Sequence, residues 1–369
     1  MIRYLRTARS AALKGKALVR LDFNTEDEWR MVSTLPTLRL LGKVAEKIII
    51  VSHRGRPKRY DAKLSLRRDA RALAGFLGKP VRFVPTLKFL EVRRAIARAP
   101  RRGFILLENI RFARGEEPND KGFAKELASL ADYYVNDAFA VSHRDDASVD
   151  AITRFLPSYA GLEFERELKS LSEARDNPKK PFVVILGGSK AQDKIAVMRY
   201  LRHTADYFLM GGAAANTLLS LNGVKIGSSL VDKDKKDFLK LKEALRWKNV
   251  TLPVDWKMER GKILDIGEWT LRDFMSKIRV ARTILWNGPL GVIERKEFSH
   301  GTQKIAEAIA ENRTAFSVAG GGETVMFLKQ HKLDKNFSFI STGGGAMLDF
   351  FAGEQLPGIE ALKRTAQKS

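Results

Sequence analysis

Short, uninterrupted apolar segments alternate with amphipathic segments along almost the whole chain, and this alternation constrains the fold more than any other feature. Continuous runs rich in Val, Ile and Leu are typical of strands that are buried on both faces. The first half contains predicted strands at 17–23, 47–53, 81–85, 103–109 and 133–139. The second half contains predicted strands at 182–188, 206–212, 250–255, 283–288, 315–322 and 337–345. Strands that alternate with helices predict an α/β fold with parallel sheets and helices on both faces.

The length of the chain and one interruption of this pattern predict two domains. A single hydrophobic core usually stops growing at about 250–300 residues, and this chain has 369. The segment 160–180, AGLEFERELKSLSEARDNPKK, interrupts the alternation and predicts one exposed, charged helix that ends near Asn177 and Pro178. We therefore expect the domain boundary in this segment.

The composition excludes several kinds of site. The chain has no Cys, which rules out disulfides, Cys-ligated zinc and a thiol nucleophile, and its five His leave little for a His-rich metal site. No apolar stretch reaches the roughly 18 residues of a membrane-spanning helix. The charged N-terminal sequence lacks the apolar run of a secretory signal. We therefore expect a cytoplasmic protein with no membrane partner.

A formal net charge of +23 predicts anionic ligands or partners. The excess is concentrated in residues 51–100, which contain 14 lysines and arginines against three acidic residues. Two interpretations remain open. We favour a general bias of the protein's surface, and the alternative is non-specific contact of the basic region with nucleic acid, which would weaken steeply with salt.

The residues that follow the predicted strands differ between the two halves. Ligands of open parallel sheets bind outside the carboxyl ends of the strands. In the first half, polar and cationic side chains stand there: Asp22, Asn24, His53, Arg56, Asn109, Arg111, Asp137, His143 and Arg144. In the second half, glycine-rich turns stand there: Gly187, Gly188 and Lys190, Gly211 and Gly212, Asn287 and Gly288, Gly320 to Thr324, and Ser341 to Gly345.

This contrast predicts two kinds of ligand. Arginine guanidinium groups pair with phosphate and carboxylate oxygens, which favours a small acid with several negative charges in the first half. Glycines let backbone N–H groups approach a phosphate chain where a helix begins, which favours a nucleotide in the second half. The sequence has no GxxxxGK[ST] loop, no GxGxxG after the first strand and no HRD and DFG pair. The nucleotide must therefore be held by another glycine arrangement.

Many ordered segments of the chain resemble the phosphoglycerate kinase family. They are VRLDFN, SHRGRPK, LLENIRFARGEE, NDAFAVSHR, ERELKSL, PFVVILGGSKAQDKI, GGAAANTLL, LPVD, WNGPLGVIE, VAGGGET and STGGGAMLDFFAGEQLPGIEAL. The resemblance implies two Rossmann-like three-layer domains with parallel sheets, joined by a hinge helix. It places an acid-binding domain at 1–160, the hinge at 161–180, a nucleotide-binding domain at 181–345, and a tail at 346–369 that packs back on the first domain.

The resemblance also implies a reaction of glycolysis and gluconeogenesis, in which 3-phosphoglycerate and MgATP are in equilibrium with 1,3-bisphosphoglycerate and MgADP. The family's acid site is matched by Asp22, Asn24, His53, Arg56, Arg111 and Arg144. The residues expected at the transferring phosphoryl group are Arg30, Lys190, Gly343 and Gly344. The nucleotide site is matched by Lys194, Gly212, Asn287, Pro289, Glu294, Gly321, Gly322, Glu323 and Thr324. Glu323 is the expected Mg²⁺ ligand, and a monomer is expected.

Phosphoryl transfer to an ionised carboxylate needs no general base, so the chemistry depends on positioning and charge neutralisation. Closure of two domains over the reactants would exclude water from a labile acyl phosphate. The chain departs from the family at Glu323, where Asp is usual, at Ala213, where a third Gly is usual, and in the short TEDEW segment before Arg30. Two other functions remain open: a kinase for a related phosphorylated acid, and a basic nucleic-acid-binding protein that has lost catalysis.

Overall fold

The computed structural model describes residues 1–25, 27–232 and 238–366, and these residues form two compact units. Unit 1 comprises Met1–Leu168 together with the chain from Gln355 onward, and unit 2 comprises Lys169–Glu354. The sequence analysis places the corresponding boundaries at 160/161, 180/181 and 345/346. Glu26 of the TEDEW segment and residues 367–369 of the expected tail lie outside the described residues.

Unit 1 contains a six-stranded parallel sheet in the order β3-β4-β2-β1-β5-β6. Its strands are β1 Ala17–Arg20, β2 Lys47–Val51, β3 Val81–Val84, β4 Gly103–Leu107, β5 Tyr133–Asn136 and β6 Ser158–Ala160. Its helices are α1 Trp29–Ser33, α2 Leu35–Val44, α3 Arg67–Leu77, α4 Phe89–Ala97, α5 Lys121–Ala128 and the first part of α6 Leu162–Asp176.

Both faces of this sheet are buried, as the continuous apolar runs predict. On one face, Val19 and Ile48 pack in one apolar cluster with Leu38 of α2. On the other face, Ile49 packs in a second cluster with Val92 of α4. Successive side chains of a strand point to opposite faces, so a strand between two helical layers needs apolar residues at every position.

Unit 2 contains a second six-stranded parallel sheet, in the order β14-β13-β12-β7-β8-β9, and a two-stranded antiparallel hairpin. Its strands are β7 Phe182–Leu186, β8 Tyr207–Met210, β9 Val250–Thr251, β10 Trp256–Glu259, β11 Lys262–Ile266, β12 Thr283–Asn287, β13 Phe316–Gly320 and β14 Phe339–Ile340. Its helices include α7 Ala191–Leu201, α8 Gly212–Leu221, α9 Phe238–Ala244, α10 Glu268–Val280, α11 His300–Glu311, α12 Gly322–Gln330 and α13 Gly345–Phe351. The prediction of two parallel-sheet α/β domains is confirmed.

The hairpin β10–β11 and the short strand β6 have no counterpart among the predicted strands. Arg260 and Gly261 form the turn of the hairpin with φ values of 48° and 73°. Two consecutive residues with positive φ are typical of the tight turn that matches the twist of two antiparallel strands. The predicted strand at 250–255 is largely wrong, because only Val250 and Thr251 pair with β8.

The helix predicted over 160–180 exists as α6, but the prediction that it is exposed is wrong. Phe164 and Leu171 are buried, and so are three carboxyl side chains, Glu163, Glu165 and Glu167. The helix begins where Asp137, just after β5, accepts hydrogen bonds from the N–H groups of Glu163 (2.9 Å) and Phe164 (3.0 Å). The charged sequence of α6 therefore includes three acidic side chains, near its start, that are buried.

The end of the chain belongs partly to each unit. Helix α13 packs against α7 within unit 2. Helix α14 Pro357–Ala366 packs against β6 and the turn at 151–154 within unit 1, and its Arg364 pairs with Asp150. The segment that returns to unit 1 thus begins at Gln355, nine residues after the start expected from the sequence. Among the described residues, no helix is long and apolar enough to cross a bilayer.

Candidate functional site

A basin of buried polar and cationic groups lies at the carboxyl ends of the strands of unit 1. Asp22 follows β1, His53 follows β2, and Arg111 follows β4. Their side chains are almost fully buried. Parallel strands bring their carboxyl ends to one edge of a sheet, so residues far apart in the sequence meet there.

Asp22 and Asn24 organise the first part of this basin. Arg30 donates a hydrogen bond from Nη1 to Oδ2 of Asp22 at 2.8 Å, and the N–H of Asn24 donates to Oδ1 of Asp22 at 3.0 Å. Oδ1 of Asn24 accepts from the N–H of Gly55 at 2.7 Å, which joins the loop after β1 to the loop after β2. Arg30 is thereby held at the edge of the basin by a charge-assisted hydrogen bond.

Arg20 lies beneath the basin and is fully buried at the last position of β1. Its Nε donates to Oγ of Ser148 at 2.9 Å, its Nη1 donates to the carbonyl of Leu21, and its Nη2 lies 3.2 Å from Nδ1 of His53. Burial lowers the pKa of His53 well below its ordinary value, and Arg20 is the largest of several cationic neighbours that lower it further. His53 is therefore neutral at physiological pH.

Arg111, which is buried, and Arg144, which is half-buried, supply further positive charge. Arg111 donates from Nη1 to the carbonyl of Gly55 at 2.8 Å, and its Nη2 lies 3.5 Å from Oδ2 of Asp146. Burial and the neighbouring Arg111 lower the pKa of Arg144. Arg56 is exposed at the rim. Cations buried close to one another repel, so the basin is best suited to a ligand that brings negative charge.

Asn109 has a structural role in this arrangement. Its Nδ2 donates to the carbonyls of Arg54 (2.8 Å) and Leu64 (2.9 Å), and its Oδ1 accepts from the N–H of Arg111 at 3.1 Å. These hydrogen bonds connect the chain at Arg54, Leu64 and Arg111 around the basin, and the side chain of Asn109 is fully buried.

Unit 2 contains a cavity of about 200 Å³ at the carboxyl ends of its strands. Four residues expected at the nucleotide site line it: Gly212, Pro289, Glu294 and Glu323. One wall is apolar and is formed by Leu219, Leu230, Trp256, Ile263 and Val292. An apolar slot with glycine backbone on one side can accept the flat ring of a nucleobase.

Glycines permit a very close approach of two loops beside this cavity. A Cβ atom on Gly288, whose φ is +92°, would lie 2.4 Å from the carbonyl carbon of Gly187. The N–H of Gly187 donates to the carbonyl of Asn287 at 2.9 Å, and the N–H of Gly288 donates to Oγ1 of Thr324 at 2.9 Å. These positions can hold only glycine without displacing the loops.

Two lysines are associated with the first loop of unit 2. Lys194 is buried, and its Nζ donates to Oδ1 of Asn287, whose Nδ2 donates to the carbonyl of Gly320 at 3.1 Å. Burial lowers the pKa of Lys194 to about 8, although the carboxylates of Asp193 and Glu323 oppose the shift. Lys190 is exposed immediately before α7.

The glycine-rich turns lead directly into helices. Lys190, Gly211, Gly321 and Gly344 are the residues that precede α7, α8, α12 and α13. Helix N-termini present free N–H groups and a partial positive charge, which favours anions. Gly321, with φ +93°, also lies against Asn287, since a Cβ there would be 3.0 Å from Nδ2 of Asn287.

The donor set of unit 2 fits a magnesium ion carried by a nucleotide better than a metal held by protein alone. Within 1–25, 27–232 and 238–366, no three His, Asp or Glu side chains form a metal-binding group. Glu323 is exposed in the first turn of α12 and lines the cavity. Mg²⁺ commonly takes one or two carboxylates together with substrate phosphates and water.

Comparison with known proteins shows the family of the chain. A family model described as phosphoglycerate kinase matches residues 9–354. The chain belongs to the phosphoglycerate kinase family. The phosphoglycerate kinase of Dictyoglomus turgidum is 42% identical over 386 aligned positions, covering 96% of this chain and 97% of that protein. That of Fervidobacterium nodosum is 42% identical over 390 positions, covering 96% and 98%.

Solved structures of the phosphoglycerate kinase family are similar over the whole chain. The enzyme from Pyrococcus horikoshii OT3 is 30% identical with a TM-score of 0.88 and full coverage of both chains. The enzyme from Coxiella burnetii is 31% identical with a TM-score of 0.84, and 99% of each chain is covered. The chain is therefore a phosphotransferase with a carboxyl group as acceptor, and the alternative of a nucleic-acid-binding protein is not favoured.

The structure adds residues that sequence reasoning does not identify. Arg20 lies fully buried beneath the basin of unit 1, within a strand, whereas the sequence analysis selects only residues that follow strands. Trp256 and Ile263 line the cavity from the unpredicted hairpin. The signal that could have identified Arg20 is its position inside an apolar predicted strand, since a charge buried there needs hydrogen-bond partners.

Proposed function

We propose that unit 1 binds 3-phosphoglycerate, that unit 2 binds MgATP, and that the γ-phosphoryl group passes reversibly to the carboxylate of the acid. The observation that carries this proposal is the separation of chemistry between the units. Buried arginines surround one strand-end basin, and glycine turns with an apolar cavity stand at the other. This division matches a small polyanion on one side and a nucleotide on the other.

On the acid side, Arg56, Arg111 and Arg144 neutralise the phosphate and carboxylate of the substrate. Asp22 and Asn24 hold the loops in place and accept hydrogen bonds, and His53 donates to the acid as a neutral group. The contacts of Arg111 support this role. Its nearest buried counter-charge, Asp146, lies 3.5 Å away, so N–H groups of the guanidinium remain available to a ligand.

On the nucleotide side, the base occupies the apolar cavity beside Gly212 and Pro289, and Glu294 accepts from the ribose hydroxyls. Lys194 pairs with the phosphates, and Asn287 orients it. Gly321, Gly322 and Thr324 bring backbone and hydroxyl donors to the phosphate chain at the start of α12. Glu323 is the protein ligand of Mg²⁺, which would neutralise charge on the phosphates when bound.

The transfer forms a bond between a carboxylate oxygen and the γ-phosphorus and breaks the bond from that phosphorus to the β–γ bridging oxygen. The leaving electron pair stays on ADP, and no proton moves, because the acceptor is already ionised. Arg30, Lys190 and the N–H groups at Gly343 and Gly344 stabilise the charge on the transferring group. Helix α6, through which the chain passes from unit 1 to unit 2, is the hinge in this proposal.

The cytoplasm is the proposed location.

A coupled assay for ADP tests the proposal. ADP formation must require both 3-phosphoglycerate and MgATP, and Lys190→Ala must lower the turnover number while the protein remains folded. Lys242→Ala, an exposed lysine on α9, is the matched control. ADP formation that does not depend on 3-phosphoglycerate would reject the proposal.

A further inference from the structure

A buried chain of hydrogen bonds runs behind the basin of unit 1 to His53, and its other three members have no role in the proposal above. It begins at Glu116, which is fully buried and accepts from Oγ of Ser148 at 2.5 Å and from the N–H of Ser148 at 3.0 Å. It continues through Ser148 to Nε of Arg20, and through Nη2 of Arg20 to Nδ1 of His53. All four side chains are fully buried.

The direction of each hydrogen bond follows from the groups involved. A guanidinium group has only donors and stays protonated, so Arg20 donates to both Ser148 and His53. Oγ of Ser148 therefore accepts from Arg20 and has its own hydrogen free for Glu116. Nδ1 of His53 accepts from Arg20, which lies 3.2 Å away, is fully buried and is fixed by Ser148 and the carbonyl of Leu21. Arg144, the cation near the other ring nitrogen, is only half-buried and has room to turn toward a ligand. Each group then has one consistent role.

We propose that Glu116 and Ser148 position Arg20 so that Arg20 holds His53 as the neutral tautomer with its hydrogen on Nε2. The opposite tautomer would need an acceptor for an N–H at Nδ1. The nearest carboxylate oxygen, Oδ1 of Asp22, lies 3.8 Å from Nδ1, which is beyond hydrogen-bond distance. Arg20, Ser148 and Glu116 are positioning residues, since they act through His53.

This tautomer gives the basin a defined pair of donors. Nη1 of Arg144 lies 3.4 Å from Nε2 of His53. When Nε2 of His53 and Nη1 of Arg144 both carry hydrogens, they cannot hydrogen-bond to each other. One anionic oxygen can then accept a hydrogen bond from each of them. This part of the inference rests on the proposed function, because it assigns that oxygen to the acid substrate.

The charges around His53 also favour its neutral form. Arg20, Arg111, Arg144 and Arg30 all lower its pKa, after the larger effect of burial. Asp22 is the carboxylate that faces the ring, with Oδ1 at 3.8 Å from Nδ1. Burial raises the pKa of Glu116, at the far end of the buried chain, to about 7. We therefore expect His53 itself not to titrate between pH 6 and 8, and a step near pH 7 that is absent in Glu116→Gln belongs to Glu116.

Nitrogen NMR of the full chain labelled at histidine tests the tautomer directly. The chain has only five histidines, and the His53→Gln variant assigns the resonance of His53. The expected spectrum shows a proton on Nε2, a bare Nδ1 and no titration of His53 itself between pH 6 and 8. A proton on Nδ1, or a titration near the ordinary histidine pKa that persists in Glu116→Gln, would overturn the inference. This readout needs no turnover, so it separates the inference from the proposed function.

Variants of the buried chain provide the second test. In Ser148→Ala, and more mildly in Glu116→Gln, Arg20 loses its fixed position, so His53 should show both tautomers and the KM for 3-phosphoglycerate should rise at least several-fold. Ser148→Thr keeps the hydroxyl group and should restore the single tautomer. Ser158→Ala removes another buried serine hydroxyl of unit 1 and should leave the tautomer unchanged. An unchanged His53 spectrum in both Ser148→Ala and Glu116→Gln would contradict the positioning role. If Ser148→Ala does not fold, the spectrum of the unmodified chain and that of Glu116→Gln still decide.

Discussion

Arg30 donates a hydrogen bond from Nη1 to Oδ2 of Asp22 at 2.8 Å, and both side chains are largely shielded from solvent. Asp22 follows β1, whereas Arg30 lies in α1, so this contact joins a strand end to the helix beside it. The carboxylate fixes the guanidinium group before any substrate is present. Preorganised charge of this kind lowers a reaction barrier without reorganisation during the reaction.

Replacement of Arg30 should therefore affect turnover more than stability. We expect Arg30→Ala to lower kcat by about 10²–10³-fold, the range found when one preorganised donor is removed. The melting temperature should change little, because Arg30 is at the edge of the basin. Steady-state kinetics and thermal unfolding check this, with Arg71→Ala, an exposed arginine on α3, as the control. Near-native kcat in Arg30→Ala would remove Arg30 from the transfer step.

Lys194 should give the nucleotide side a dependence on alkaline pH. Burial lowers its pKa to about 8 in the free protein. Its positive charge is present below that pH and is lost as the pH rises through it. We therefore expect kcat/KM for MgATP to fall above pH 8, since this ratio reports groups of the free enzyme. Lys194→Met should have a low kcat/KM at every pH and lack this step. Persistence of the step in Lys194→Met would assign it to another group.

Glu323 should control the requirement for metal. The Glu323→Gln variant keeps the size of the side chain and removes its charge, so we expect a higher Mg²⁺ concentration for half-maximal rate. The matched control is Glu311→Gln, an exposed residue at the end of α11. Metal titrations at saturating ATP and 3-phosphoglycerate measure the effect. Equal metal requirements in the unmodified protein and Glu323→Gln would exclude Glu323 as a ligand.

Alanine substitutions at two glycines with positive φ should distinguish the cost of backbone strain from the cost of close packing. A Cβ on Gly223 (φ +81°) meets nothing within 4 Å, whereas a Cβ on Gly288 (φ +92°) would lie 2.4 Å from Gly187. Gly223→Ala should cost about 1–2 kcal/mol from the left-handed conformation alone. Gly288→Ala should cost about 1–3 kcal/mol more, as overpacking does, and should raise the KM for ATP. Urea unfolding measures both, and equal costs would show that the loops at 187 and 288 can separate freely.

Glu163 should make the protein less stable as the pH rises. Burial, followed by the charges of Glu167 and Asp137, raises the pKa of Glu163 to about 8, while Arg166 opposes the shift. In the unfolded chain this carboxyl group loses its proton near its ordinary pKa. The contribution of Glu163 to the free energy of unfolding is therefore complete below the pKa of the unfolded chain. It is lost as the pH rises toward 8.

Glu163→Gln should consequently raise the free energy of unfolding more at pH 8 than at pH 5. Chemical unfolding at the two values of pH measures the difference, and Glu173→Gln, exposed on the same helix, should change neither. An equal effect of Glu163→Gln at both values of pH would show that folding does not raise the pKa of Glu163.

The sequence predicted the two parallel sheets because every strand buried on both faces needs an apolar run. The predicted ends were too long, since residues such as Phe23 are buried but lie beyond the end of the strand. The hairpin β10–β11 was missed because it covers a cavity and not a core, and so lacks a continuous apolar run. Its Arg260–Gly261 turn was the available signal.

The strand-end rule identified much of the candidate site because it selects polar residues and glycines in loops. It cannot select Arg20, which lies within β1 and depends on Ser148, 128 positions later in the chain. It also cannot select Trp256 or Leu230, since apolar walls of a cavity look like ordinary packing residues. The burial of Glu163 likewise depends on tertiary contacts that a helical charge pattern does not contain.

Trapping of the product with hydroxylamine tests the central claim, that a carboxylate accepts the phosphoryl group. An acyl phosphate reacts with hydroxylamine to give a hydroxamate, whereas a phosphate ester of a hydroxyl group does not. Incubation with 3-phosphoglycerate, MgATP and hydroxylamine should yield hydroxamate and ADP in equal amounts, and Arg30→Ala should yield far less of both. Formation of ADP without hydroxamate would contradict the account.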